Sequence, residues 1–128
     1  MDTLIISKIH KVSAHGKTLY VTIPRSCHHI VSSAPVLYAY IADGDIVYST
    51  ELPANVKSGS VLVAGERIVL LPTTMKSTIY RVKVSKINRD TLGLRIPATI
   101  ARILGISAKS LANIICFDNK IVVKLIKR

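Results

Sequence analysis

The chain has 128 residues, 49% apolar and 5% aromatic with no Trp, enough to bury an aliphatic core, so the chain need not be disordered. Its formal net charge is +11, from 18 basic and 7 acidic residues. That balance favours a polyanionic partner, and nucleic acid over membrane, because no run approaches the roughly 18 to 20 apolar residues that span a bilayer.

In chain order, the first patterned segment is Val12-Ser13 followed by Thr18-Leu19-Tyr20-Val21-Thr22-Ile23-Pro24. Leu19, Val21 and Ile23 alternate with Thr18, Tyr20 and Thr22, which predicts a strand with one buried face. Pro24 ends it, and its fixed φ suits the first turn of a helix. Cys27, Ile30 and Val31 then recur at i, i+3, i+4, a short helical stripe. Val36 to Ile41 reads as a strand, Ala42-Asp43-Gly44-Asp45 as a hairpin turn, and Ile46 to Ser49 as the returning strand. Residues 1–50 thus form a β-β-α-β-β unit.

Residues 51–75 connect this unit to the second half of the chain. Leu52-Pro53-Ala54-Asn55 reads as loop. Ser60 to Val63, Ala64-Gly65-Glu66 and Arg67 to Leu71 read as an extra hairpin closed by Pro72, too structured for a flexible linker. Met75 to Thr78 leads into the next strand.

Residues 76–128 repeat the first pattern. Val84-Ser85 precedes Thr91-Leu92-Gly93-Leu94-Arg95-Ile96-Pro97, again alternating and again ended by proline. Ile100, Ile103 and Leu104 form the second helical stripe, and Gly105 suits the position after a helix C-cap. Leu111 to Phe117, Asp118-Asn119 and Ile121 to Leu125 read as a second hairpin. Both helices span about two turns and need a sheet beneath them.

Charge is unevenly spread. Residues 1–48 hold four basic and three acidic side chains, and residues 76–128 hold twelve and two. Nearly all the attraction for a polyanion therefore lies in the second unit. The absence of Gln, with many Ile, Lys and Arg, is compatible with a heat-adapted source.

The pair of units resembles the SpoVT/AbrB family of swapped-hairpin DNA-binding domains, which includes MazE-type antitoxins. In the second unit the resemblance rests on Arg81-Val82-Lys83-Val84, Lys86 and Arg89, Leu94-Arg95-Ile96-Pro97, Ala101-Arg102-Ile103-Leu104-Gly105-Ile106, and Asp118-Asn119-Lys120-Ile121-Val122-Val123, about 48 residues. In the first, Lys11-Val12, Gly16-Lys17 and Ile23-Pro24 fit. His28-His29 stand where the family has arginines, and Ser32-Ser33-Ala34-Pro35 replaces its Leu-Gly-Ile. The resemblance implies a mainly β fold with short helices, in which tandem β-β-α-β-β units interleave their hairpins into one β-barrel. It leaves open whether the units pair within one chain, as a pseudo-dimer, or between chains, as a homodimer.

It also implies sequence-preferring or general binding of double-stranded DNA, a role in transcription regulation, and contacts from the first strand, the following turn and the helix start. Carried onto this sequence, these are Lys8, Lys11, Lys17 and Arg25 in the first unit, with His10, His15, His28 and His29 as weaker donors. In the second they are Arg81, Lys83, Lys86, Arg89, Arg95 and Arg102. Arg89, on the turn, and Arg95, a lone cation amid a buried-type strand, lead the set, since guanidinium can contact guanine in bidentate fashion. Lys120, Lys124, Lys127 and Arg128 are read as solvating the last strand and tail.

Two other roles stand beside this one. One is an antitoxin-type interaction module, disfavoured by the basic end at Arg128. The other is a DNA binder that uses the second unit alone, with the nearly neutral first unit for dimerisation. An enzyme is not expected: no nucleophile elbow, phosphate-binding glycine loop or paired carboxylates occur. No metal or cofactor is expected either, since Cys27-His28-His29 lacks zinc-site spacing. Cys27 and Cys116 are read as free, small hydrophobic residues. Met1-Asp2-Thr3 lacks the positive start of a signal peptide, so a soluble cytoplasmic protein is expected.

Overall fold

The structure is a computed structural model and describes residues 4–33, 36–51, 61–64, 67–70 and 78–126. The alternating segments form β1 (Leu4–Lys11), β2 (Ser13–His15), β3 (Thr18–Ile23), β4 (Val36–Ala42), β5 (Asp45–Ser49), β6 (Val61–Ala64), β7 (Arg67–Leu70), β8 (Thr78–Asn88), β9 (Thr91–Ile96), β10 (Leu111–Phe117) and β11 (Lys120–Leu125). A 3₁₀ turn (Arg25–Cys27) runs into α1 (His28–Ser33), and α2 spans Ala98–Leu104. The protein is mainly β, and its antiparallel strands make a nearly closed barrel. Their order is β1-β10-β11-β5-β4-β8-β9-β3-β2, with the β6–β7 hairpin joined through β7 to β8.

The local signals act where the sequence puts them. Pro24 and Pro97 sit at the N-caps, φ −57° and −55°, one position before the first helical turn. The carbonyl of Pro24 accepts from the Cys27 N–H and that of Pro97 from the Ala101 N–H, both at 2.9 Å. The first unit therefore starts with a tighter turn than the second. Gly105 closes α2 in the left-handed region at φ 68°. The Ile106 N–H donates to the Ala101 carbonyl at 2.8 Å and the Gly105 N–H to that of Arg102 at 3.4 Å, the paired bonds of a Schellman motif. Asp43 and Gly44 both have positive φ, 53° and 81°, as a two-residue type I′ hairpin requires.

The strand registers reciprocate between the two units. β1 of the first unit pairs with β10 of the second, Lys11 opposite Leu111. β8 of the second pairs with β4 of the first, Lys83 opposite Val36. β3 pairs with β9 so that Leu19 faces Ile96 and Ile23 faces Leu92, with Val21 opposite Leu94 at the centre. β5 pairs with β11 about Val47 and Val122. Exchanging the units turns each of these pairings into another member of the set. An internal pseudo-two-fold axis thus passes through the Val21–Leu94 and Val47–Val122 positions. The β6–β7 hairpin departs from this relation: β7 pairs with β8, Ile68 opposite Ile79, whereas among the described residues no strand covers the corresponding edge of β1.

One core serves both units. Val21, Ile23, Ile30, Leu37 and Ile46 of the first belong to the same buried cluster as Leu94, Ile96, Ile100, Ile114 and Ile121 of the second. Each such side chain is worth about 1.5 to 3 kcal/mol when removed from water.

The extra hairpin expected between the units is present as β6 and β7. The expected loop at Leu52-Pro53-Ala54-Asn55, the Gly65-Glu66 turn and Pro72 lie outside the described residues.

One expectation is overturned. Cys27 and Cys116 are not free thiols but a disulfide, with Cα atoms 6.1 Å apart. Both residues are fully buried, in keeping with their apolar surroundings in the sequence. Their neighbourhood depends on β10 folding against the first unit, a pairing 89 residues apart in sequence that side-chain pattern alone does not reveal.

Candidate nucleic-acid interface

The outer face of the β3–β9 ribbon is polar because its inner face is consumed by the core. Val21, Ile23, Leu94 and Ile96 point inward and are buried. Thr18, Tyr20, Thr22 and Arg95 take the alternate positions and are only partly covered. β2 and β8 flank the ribbon, giving a four-stranded surface β2-β3-β9-β8.

Arg95 lies near the middle of this surface, directly opposite Tyr20. Beside Tyr20 stands His15, ring centroids 5.5 Å apart and nearly perpendicular at 76°. At the place in the second unit that corresponds to Tyr20, the strand has Gly93, covered by Ile87: a Cβ there would overlap Ile87 Cδ1 and lie 3.3 Å from the Val21 carbonyl oxygen. The ribbon is held from below by Tyr48, whose hydroxyl donates to the Arg95 carbonyl at 3.0 Å. Burial pushes the Tyr48 hydroxyl far above its ordinary range, and the positive field of Arg95 only partly offsets this. Tyr48 is therefore a neutral donor that anchors the strand carrying Arg95.

The loops bordering the ribbon carry further cations. Lys17 follows Gly16, which has φ 64°, in the β2–β3 turn. Arg89 and Asp90 form the β8–β9 turn, and Lys86 precedes a register shift in β8. Arg25 opens the 3₁₀ turn after β3, and Arg102 lies in the last turn of α2. All of these side chains are exposed. Arg25, His28, Arg89, Asp90 and Leu92 line one surface notch of about 420 Å³. His28 is placed by a hydrogen bond between Nε2 and the Ile23 carbonyl, 3.2 Å, and His29 by one between Nδ1 and the Ser26 carbonyl, 3.1 Å.

The remaining sequence candidates lie on another part of the barrel wall. Lys8 and Lys11 are exposed on β1, opposite Ile114 and Leu111. Arg81 and Lys83 are exposed on β8, opposite Tyr38 and Val36. They belong to the β4–β8 and β1–β10 pairings, whereas Arg95 lies on the outer ribbon face, Lys17 and Arg89 lie in the turns at its ends, and Lys86 lies on the flanking strand opposite Leu92. Lys11 instead borders a cavity of about 630 Å³ with Lys109, Leu104, Leu111, Leu125 and Ile126. His10 lies on β1, its Nε2 buried without a hydrogen-bond partner. Lys120 sits over the Phe117 ring across the last hairpin, 5.1 Å from its centroid.

Tyr20 is a sheet residue, as its alternation in the sequence implies, on the outward parity of a ribbon strand. Lys109 has a left-handed backbone, φ 73°.

Cys27 is committed to the disulfide, which removes it from any site with His28 and His29. Among the described residues, no group of three His, Cys, Asp or Glu side chains is placed to hold a metal. No helix among them is long and apolar enough to cross a membrane. Neither a protein-family model, nor a curated protein, nor a solved structure matches the chain.

Proposed function

We propose that the chain is a double-stranded DNA-binding protein acting as a transcription regulator of the SpoVT/AbrB kind, with two diverged units in one chain standing in for two subunits. The reciprocal registers carry this reading. The first strand of each unit lies against the C-terminal hairpin of the other, and the two proline-terminated strands lie against each other about Val21 and Leu94. Those are the pairings expected of interleaved hairpins closed within a single chain.

The ribbon surface supplies what DNA binding needs. Lys17, Lys86 and Arg89 extend from turns and edges, where flexible cations can follow phosphates. Arg95 projects from the strand itself, on a backbone fixed by the Tyr48 bond, and is the residue suited to a base edge. In this reading the protein binds and does not catalyse, and it takes no cofactor.

The reading is tested by anisotropy titration of the disulfide-bonded protein with a random-sequence duplex at several salt concentrations. Log affinity should fall linearly with log salt, with a slope near −4.5 if about five phosphates are neutralised. Charge reversal in an Arg89→Glu/Arg95→Glu double variant should abolish binding while the melting curve stays as in the parent. A double variant that binds like the parent would refute the site, and a parent whose affinity ignores salt would refute the function.

A further inference from the structure

We propose that the notch between Arg25 and Arg89 is a phosphate site present at only one end of the β3–β9 ribbon, and that it fixes the direction in which the protein lies on duplex DNA. This rests on the DNA-binding reading and deepens it.

The notch is built jointly by the two units. Arg25 and His28 follow the end of β3; Arg89, Asp90 and Leu92 belong to the turn and strand that begin β9. The two segments meet because Ile23 pairs with Leu92. Two exposed guanidinium groups from separate stretches of chain therefore border one concavity. Planar guanidinium forks match phosphate oxygens in geometry as well as charge. Asp90 is the single acidic group of the lining, so the fixed charges still sum to a cationic site, and a phosphate is expected on the side of the arginines.

The pseudo-two-fold axis makes a direct comparison with the other end of the ribbon. There the positions corresponding to Arg25 and His28 are Ala98 and Ala101, one residue and four residues after Pro97 as Arg25 and His28 are after Pro24. The turn contributes Lys17, a point charge without a fork. That end carries no cation at those two positions; its helix cation is Arg102, in the last turn of α2, which corresponds to His29. The ribbon's middle is biased the opposite way. Arg95 and Tyr20 occupy the row just beyond the axis toward the Lys17 end, and the matching row toward the notch holds Thr22 and Gly93. One end is thus equipped to grip backbone, and the other presents an arginine and an aromatic.

A protein with a true two-fold axis reads a palindrome. Unequal ends remove that requirement: the notch takes a phosphate on one flank while Arg95 reaches toward the bases of the other half. The bound site is then directional, without dyad symmetry.

Two measurements on the full disulfide-bonded chain test this. The first is titration with inorganic phosphate, followed by ¹⁵N NMR. The Arg25 and Arg89 side-chain N–H signals and the Leu92 amide should shift, while the Lys17, Ala98 and Ala101 amides stay. Shifts spread equally over both ends, or none at Arg25 and Arg89, overturn the notch. The second is selection of bound duplexes from a random pool, with Arg25→Ala and Lys17→Ala compared at fixed salt. The parent should enrich a motif without dyad symmetry. Arg25→Ala should weaken binding about tenfold and flatten the log–log salt slope by about one, with Lys17→Ala costing less. A palindromic motif, or equal losses in the two variants, overturns the directional claim. If phosphate shifts the notch signals but no duplex is retained at any salt, the DNA-binding reading falls and takes the directional claim with it, leaving an anion site.

Discussion

Cys27 and Cys116 are bonded to each other across the two units, joining the 3₁₀ turn of the first to β10 of the second. β10 also pairs with β1 of the first unit, so the bond and the ladder act on the same inter-unit contact. A link between residues 89 apart in sequence removes much of the freedom of the unfolded chain, worth on the order of 4 to 5 kcal/mol in the loop-entropy model. Bonds of this kind persist in oxidising surroundings or in intracellular proteins of extreme thermophiles. Reduction of the native protein, or a Cys27→Ala/Cys116→Val variant, should keep the β-rich circular dichroism spectrum and lower Tm by more than about 10 °C. Melting with and without reductant measures this; a change of a degree or two would show that the link does not constrain the unfolded chain as argued.

Tyr48 supplies a second cross-layer tie, from β5 to the Arg95 carbonyl on β9. Tyr48→Phe should cost about 1 kcal/mol, because it removes one part-buried hydrogen bond. The pH dependence has a definite sign. The folded hydroxyl titrates above its ordinary value of 10.0 because burial disfavours the phenolate. Its contribution is thus complete below pH 10 and declines as pH rises beyond it, when the unfolded chain can ionise and the folded chain cannot. Denaturant unfolding at pH 8 and pH 11 checks this: the parent should lose stability between them, and Tyr48→Phe should lose less. An equal loss would mean that other groups govern the alkaline side.

The elements were legible where local chemistry decides them. Ile23-Pro24 and Ile96-Pro97 end strands and open helical turns, Gly105 closes α2, and Asp43-Gly44 turns a hairpin. What was not legible depends on partners distant in sequence. Alternation tells that Leu94 faces inward, but not that Val21 is opposite it. The apolar stripe places Cys27 in the core, but only the β10 approach brings Cys116 to it. The cations show the same division. Strand parity put Arg95 on the open face, yet only the β3–β9 register sets Arg25 beside Arg89, and the Lys8, Lys11, Arg81 and Lys83 positions fall on another stretch of wall.

Gly93 is required by a neighbour and not by its backbone angles. A Cβ at 93 meets the end of the Ile87 side chain and approaches the Val21 carbonyl oxygen. Gly93→Ala should therefore destabilise by about 1 to 3 kcal/mol, the usual range for overpacking. Since Ile87 is the main obstruction, Ile87→Ala should relieve most of it, and the double-mutant cycle should give a coupling of about 1 kcal/mol. Full additivity of the two changes would assign the cost to the backbone contact with Val21 instead.

The second unit cannot close its own core. Within residues 76–128, β9 loses β3, β8 loses β4, and β11 loses β5. Leu94, Ile96 and Ile121 are buried in a cluster shared with Val21, Ile23 and Tyr48, so the fragment would expose apolar surface that so small a chain cannot otherwise cover. Because the registers reciprocate, a second copy of the fragment offers the missing strands in the same positions. Residues 76–128 alone should be unfolded when dilute and should gain β structure with concentration as a dimer forms. Sedimentation and circular dichroism across a roughly hundredfold concentration range would follow this. A folded monomer of the fragment would mean that the second unit is self-sufficient, and that the two units are neighbouring domains in one chain instead of halves of one barrel.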